Sequence, residues 1–204
     1  MPAFREPMED EQRGERRLVV GLGNPGDRYR ATRHNLGFRV VEALAERWRA
    51  EWGPEECSAR FSTTGAADLA APQTFMNRSG WSVRCLVERF GYRPDALLVV
   101  FDEVALPVGT LRLRGRGGPA GHRGLESVIE NLRTDAVPRL RLGIAPQDGM
   151  IEGELADFVL AEFAVGEREL VDKIVARAAD AVISWLDRGL EATMSEFNGE
   201  AVAI

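Results

Sequence analysis

Two kinds of apolar pattern take turns along the chain, and their alternation predicts the architecture. Leu18, Val19, Val20 and Leu22 form a short continuous apolar run ending in glycines, the mark of a strand buried on both faces. Leu36, Val40, Leu44 and Trp48 recur every four residues, which predicts an amphipathic helix over about 35–52. A β-rich stretch over 61–69, interrupted by Gly65, comes next; Val83, Leu86, Val87 and Phe90 then mark a second helix that Gly91 stops. Leu97 to Phe101 is another continuous apolar run, with Asp102 and Glu103 at its carboxyl end. Leu111-Arg112-Leu113-Arg114 has period two, which puts the leucines on one face of a strand and the arginines on the other. A glycine-rich loop over 115–124 leads to a helix over about 125–133, after which Leu140, Leu142 and Ile144 alternate with Arg139 and Arg141 in a further strand. The last long helix, over about 167–188, buries Val171, Ile174, Val175, Ala178, Val182 and Trp185. Strands alternating with helices, without a linker-like segment or an internal repeat, predict an α/β single domain: an open, twisted, mixed β-sheet with helices on both faces.

Composition trims this picture without changing it. Residues 1–16 are polar and charged with no periodicity, which predicts a disordered leader and a domain over 17–204. A length of 204 residues with 45% hydrophobic and 28% charged side chains suits one globular domain. No apolar run reaches the ~18 residues of a membrane span, and the first residues hold no apolar signal core, so a cytoplasmic location with no membrane partner is expected. Cys57 and Cys85 follow no pattern in a chain able to build its own core; both are expected to be reduced thiols. With only two histidines, a His/Cys zinc site is not expected either.

Taken as a sum, the net charge of −6 argues against a nucleic-acid partner. Its distribution argues otherwise. Residues 112–141 carry seven arginines against three acids, a local +4, whereas from Asp148 onward thirteen acids face four bases, a local −9. A basic middle beside an acidic tail predicts one electropositive face where a polyanion could dock.

Three positions stand out chemically. Gly21-Leu-Gly23-Asn-Pro-Gly26 satisfies the dinucleotide fingerprint by letter, but Asp27 to Arg33 intervene before helical periodicity begins and Pro25 removes a backbone N–H, so a nicotinamide site is not expected. His34 stands at the start of the first long helix, where the positive end of the dipole favours an uncharged imidazole able to act as a base. Asp102 and Asn24 both fall at the carboxyl ends of predicted strands, the edge where open α/β sheets place their sites. If those strands are neighbours, Asp102 can accept a hydrogen bond from one nitrogen of His34 and leave the other free to take a proton. No Gly-x-Ser-x-Gly elbow or cysteine–histidine motif is present, which points to activated water as the nucleophile.

These residues sit in blocks that resemble the bacterial peptidyl-tRNA hydrolases over nearly all of 18–190: GLGNPGDRY from Gly21, TRHNLGF from Thr32, PQTFMNRSG from Pro72, FDEVALPVG from Phe101, GGPAGHRGLES from Gly117 and RLRLGI from Arg139. The resemblance implies cofactor-free and metal-free hydrolysis of the ester joining a peptide to the terminal ribose of tRNA, by a monomer. It implies His34 as general base, Asp102 as its orienter, Asn24 as the group distinguishing blocked from free aminoacyl ends, and Tyr29, Phe75, Met76 and Asn77 as substrate contacts. Carboxamides suit developing oxyanions, and aromatic faces suit an unpaired terminal adenine. It also places Arg112, Arg114 and Arg141 where the family presents cations to tRNA phosphates near the acceptor end. Arg123 stands where the family usually has Asn, open to a phosphate or to the peptide's carbonyl groups. Ala71 and Ala105 replace a lysine and an aspartate, and the 61–72 segment looks shortened, which predicts a clipped hairpin. These departures leave a second reading, a non-catalytic RNA-binding module.

Overall fold

The computed structural model describes residues 16–199, so the expected leader lies outside the described residues except for Arg16. Its strands are β1 (Leu18–Gly21), β2 (Ala59–Thr63), β3 (Asp68–Pro72), β4 (Leu97–Pro107), β5 (Leu111–Arg114) and β6 (Arg139–Ala145), in one sheet ordered β2-β3-β1-β4-β6-β5. β1 runs parallel to both β3 and β4, and β4 is parallel to β6; the two edge strands, β2 and β5, are antiparallel to their neighbours. The helices are α1 (Leu36–Arg47), α2 (Ser79–Phe90), α3 (Arg123–Leu132), α4 (Leu155–Leu160), α5 (Arg168–Arg188) and α6 (Leu190–Phe197).

Alternation along the strands divides the core in two. Val19, Leu98 and Val100 face one layer with α1 and α5, whereas Leu18, Val20, Val99 and Phe101 face the other with α2 and α3. This is the expected mixed sheet covered on both faces. Because β1 lies between β3 and β4, the chain goes first to one side of it and then to the other, and such a reversal opens a crevice at the carboxyl ends. Close packing brings α1 to that crevice. A Cβ on Gly21 would lie 2.1 Å from the carbonyl oxygen of Gly37, and one on Gly37 would lie 2.3 Å from that of Val100, so only glycines let α1 rest directly on the sheet.

Several elements depart from the pattern-based expectation. The first helix ends at Arg47, and Arg49 turns left-handed at φ 51°; Trp48, Ala50 and Trp52 still pack on the core, so their apolar spacing reported burial and not helix. Gly65 belongs to the turn of a short β2–β3 hairpin, not to a strand interior. β4 runs six residues past Phe101, with Asp102 and Glu103 inside it. Arg139 is not on an open basic face: it is 2% exposed, its guanidinium bonded to the carbonyls of Val137, Asp135 and Gly117. The cysteines are not free thiols either. Cys57 and Cys85 form a disulfide, because a left-handed turn at Cys57 and Ser58 leads into β2 beside the middle of α2. No helix among the described residues is long and apolar enough to cross a membrane.

Candidate active site

His34 lies in a single 3-10 turn, Arg33–Asn35, immediately before α1. That turn places its ring against Asp102 on β4, with Nδ1 at 2.9 Å and 3.0 Å from the two carboxylate oxygens. A second imidazole completes the arrangement. His122 caps α3, its Nδ1 accepting the N–H of Leu125 at 3.1 Å, so the ring's proton is on Nε2, 3.1 Å from Asp102 Oδ1. Asp102 thus accepts from both rings, and His34 carries its proton on Nδ1 with its other nitrogen left as a lone pair. The carboxylate is 1% exposed. Burial by itself would push its pKa up; the two imidazoles, His34 first, outweigh this and hold it below the usual carboxylate range.

Asn24, just past β1, is oriented from three sides. Its Oδ1 accepts the N–H of Met76 at 2.8 Å, its own N–H donates to Asn35 Oδ1 at 2.9 Å, and Asn35 returns a hydrogen bond to its carbonyl at 2.9 Å. Since the partner of Oδ1 is a donor, the amide NH2 of Asn24 is the end left for a ligand. Asn24 and His34 border one cavity of about 590 Å³, with Tyr29, Phe75, Met76, Asn77, Asp102 and Arg123 also in its wall.

The other expected site residues divide into those that meet and those that do not. Tyr29 and Phe75 meet edge to face with ring centroids 6.4 Å apart, and Phe75 is 53% exposed. Asn77 is exposed beside them, and Arg123 is exposed at the first residue of α3. Met76 is a core residue at 4% exposure that serves the site through its backbone N–H and one edge of its side chain. Arg112 and Arg114 lie off the cavity on β5. Arg141, beside Arg112 in register, is paired: both Nε and a terminal nitrogen bind Glu103, at 2.8 Å and 2.7 Å, with the side chain 14% exposed.

Sequence reasoning missed His122 as a partner of Asp102, Asn35 as the brace of Asn24, and α4, whose Leu155, Val159 and Leu160 close the cavity. For His122 a signal existed: it is the second of only two histidines and stands, like His34, just before a predicted helix. The others had none. His34, Asp102 and His122 also bring ligand atoms within 4.8 Å of one another, a donor set able to hold a divalent ion. Asp102 accepts from one nitrogen of each ring and Leu125 occupies the second nitrogen of His122, which leaves the lone pair on His34, the pattern of a base and its orienters.

The family model described as peptidyl-tRNA hydrolase matches residues 18–203. A peptidyl-tRNA hydrolase of Gloeobacter violaceus is 44% identical over 192 residues, covering 92% of this chain and 96% of its own. One from Gemmatimonas aurantiaca is 44% identical over 186 residues, covering 88% and 97%. The crystal structure of peptidyl-tRNA hydrolase from Acinetobacter baumannii superposes with a TM-score of 0.85 at 30% identity, covering 93% of this chain and 98% of that one.

Proposed function

This chain belongs to the peptidyl-tRNA hydrolase family and is a hydrolase of the ester bond in peptidyl-tRNA, and we propose that it performs the reaction with His34 as general base on a water molecule. The observation that carries this reading is the pairing of His34 Nδ1 with Asp102 at the rim of the cavity, which leaves the other ring nitrogen as the acceptor of a proton. The water oxygen attacks the ester carbonyl carbon while its proton passes to His34. Asp102 stabilises the imidazolium that results, and His122 holds Asp102 in place. Collapse of the tetrahedral intermediate breaks the bond to the terminal ribose oxygen, which recovers the proton from His34, releasing free tRNA and the peptide acid, whose remaining proton passes to solvent to give the carboxylate.

Asn24 offers donors, so its part is to bind the carbonyl oxygen as negative charge develops there and to position a blocked aminoacyl group. Tyr29 and Phe75 supply faces for the terminal base or the first peptide residues, with Asn77 and Arg123 polar contacts beside them. Arg112 and Arg114 meet backbone phosphates near the acceptor end. Arg141, neutralised by Glu103, instead stiffens the strand behind them. The protein acts as a cytoplasmic monomer, without metal.

The deciding experiment compares N-acetylated with free aminoacyl-tRNA. Hydrolysis of the first, sparing of the second and indifference to EDTA are expected; tRNA binding without turnover at any enzyme concentration would indicate an RNA-binding module. A single species of one-chain mass in light scattering checks the monomer.

A further inference from the structure

Arg33 precedes the base in sequence, yet its side chain serves a different element. It is 8% exposed, and its guanidinium lies between the rings of Phe158 and Phe163, at 4.6 Å and 4.9 Å from their centroids. The same group donates to the carbonyl of Glu162 at 2.6 Å and to Glu167 Oε2 at 3.0 Å. Its backbone N–H donates to Ala161 at 3.0 Å, and Thr32 forms a bridge with Glu162. All these partners belong to one stretch: the last turn of α4, the turn after it and the residue just before α5.

The opposite face of α4 lines the cavity. Leu155, Ala156, Val159 and Leu160 stand across from Phe75 and Arg123, with Leu155 48% and Leu160 41% exposed. With six residues, none of them fully buried, α4 is far too short to persist on its own, so its position depends on how it is docked. Phe158 and Arg33 supply that docking. A lysine could not replace the arginine, because a point charge can neither lie flat between two rings nor fork to two acceptors.

We propose that Arg33 is a positioning residue that holds α4 as an apolar roof over the cavity, and that this roof sets affinity for apolar side chains of the peptidyl group beside the ester. The proposal rests on the reading of the cavity as the ester-hydrolysing site. Thr32 to Asn35 then build three parts of it in succession: Thr32 and Arg33 fix the roof, His34 is the base, and Asn35 orients Asn24.

The test measures kcat and KM on N-acetyl-leucyl-tRNA and N-acetyl-glycyl-tRNA for the wild type, Arg33→Met, Arg33→Lys, Leu155→Ala and the Arg33→Met/Leu155→Ala double variant. Arg33→Met should raise KM for the leucyl substrate about tenfold, the equivalent of one apolar side chain's burial, while changing it less than about threefold for the glycyl one and leaving kcat within about twofold. Arg33→Lys should move the same way. In the Arg33→Met background, Leu155→Ala should add less than about twofold, because the contact it removes is already lost. Hydrogen exchange of the 155–163 amides should accelerate in Arg33→Met with α1 unchanged, a readout that does not depend on turnover. Equal losses on both substrates, additive effects in the double variant, or unchanged exchange over 155–163 would each overturn the proposal. Should Arg33→Met not fold, Glu167→Gln removes one arm of the clamp and should give the same pattern at smaller size. Full activity of a His34→Ala variant would overturn the reading of the cavity instead, and the exchange result would stand apart from it.

Discussion

Two buried aspartates sit at opposite ends of the same sheet. Asp68 opens β3 at 3% exposure, its oxygens taken by the Tyr92 hydroxyl at 2.5 Å and by Arg16 at 2.6 Å. Asp102 lies in the carboxyl half of β4 at 1% exposure, its oxygens taken by two imidazoles. Burial and partner number are alike; the partners differ in kind. Arg16 is a guanidinium, and the Tyr92 hydroxyl is pushed well above the usual phenol range, by burial first and then by the Asp68 charge, so this hydroxyl exchanges no proton near neutrality. Imidazole is the side chain that does exchange one there, and the Asp102 cluster borders a cavity. A buried carboxylate becomes part of a reaction through its partners and its access, not through its own burial.

The comparison can be broken most sharply by treating the two aspartates alike. Asp102→Asn and His34→Ala should each lower kcat by about 10²–10⁴, because proton acceptance and its orientation are lost. Charge reversal at Arg112 and Arg114 together should come next, weakening tRNA binding and flattening its log–log salt slope by about 2 while a peptidyl-nucleoside fragment is hydrolysed much as before. Reducing the Cys57–Cys85 bond, which closes a 28-residue separation, should cost about 3–4 kcal/mol in denaturant unfolding and spare kcat. Asp68→Asn should cost about 1–3 kcal/mol by the same measurement, again sparing kcat. A large activity loss in Asp68→Asn would dissolve the contrast.

Titration should separate the two clusters most gently. Tyr92 has its folded-state pKa raised, so its contribution is full below about pH 10, the unfolded phenol value, and falls away as pH rises beyond it; Tyr92→Phe should remove that alkaline slope. Asp102 has its folded-state pKa lowered, so its contribution is full above about pH 4 and is lost as pH falls below. Unfolding curves across both limits check the signs.

Much of the fold was legible in the sequence. Continuous apolar runs located β1 and the start of β4, four-residue spacing located α1, and period two located β5, because each pattern records which side of a local element faces the core. The family blocks pointed to His34, Asp102 and Asn24, and the fold brings all three to one cavity. Short pieces escaped: α4 has too few residues to show a period, and α6 follows α5 after a single glycine. Local pattern also could not foresee the burial of Arg139 or the pairing of Arg141, since alternation shows that two arginines share a face but not whether Glu103 or a loop of carbonyls waits there. Likewise nothing local joins Cys57 to Cys85 or His122 to Asp102. Periodicity is a property of one element and the sequence alone determines it. Which side chains meet across 68 residues, as His34 and Asp102 do, follows from strand order and register, and those were decided only when the two apolar faces of the sheet were packed at once.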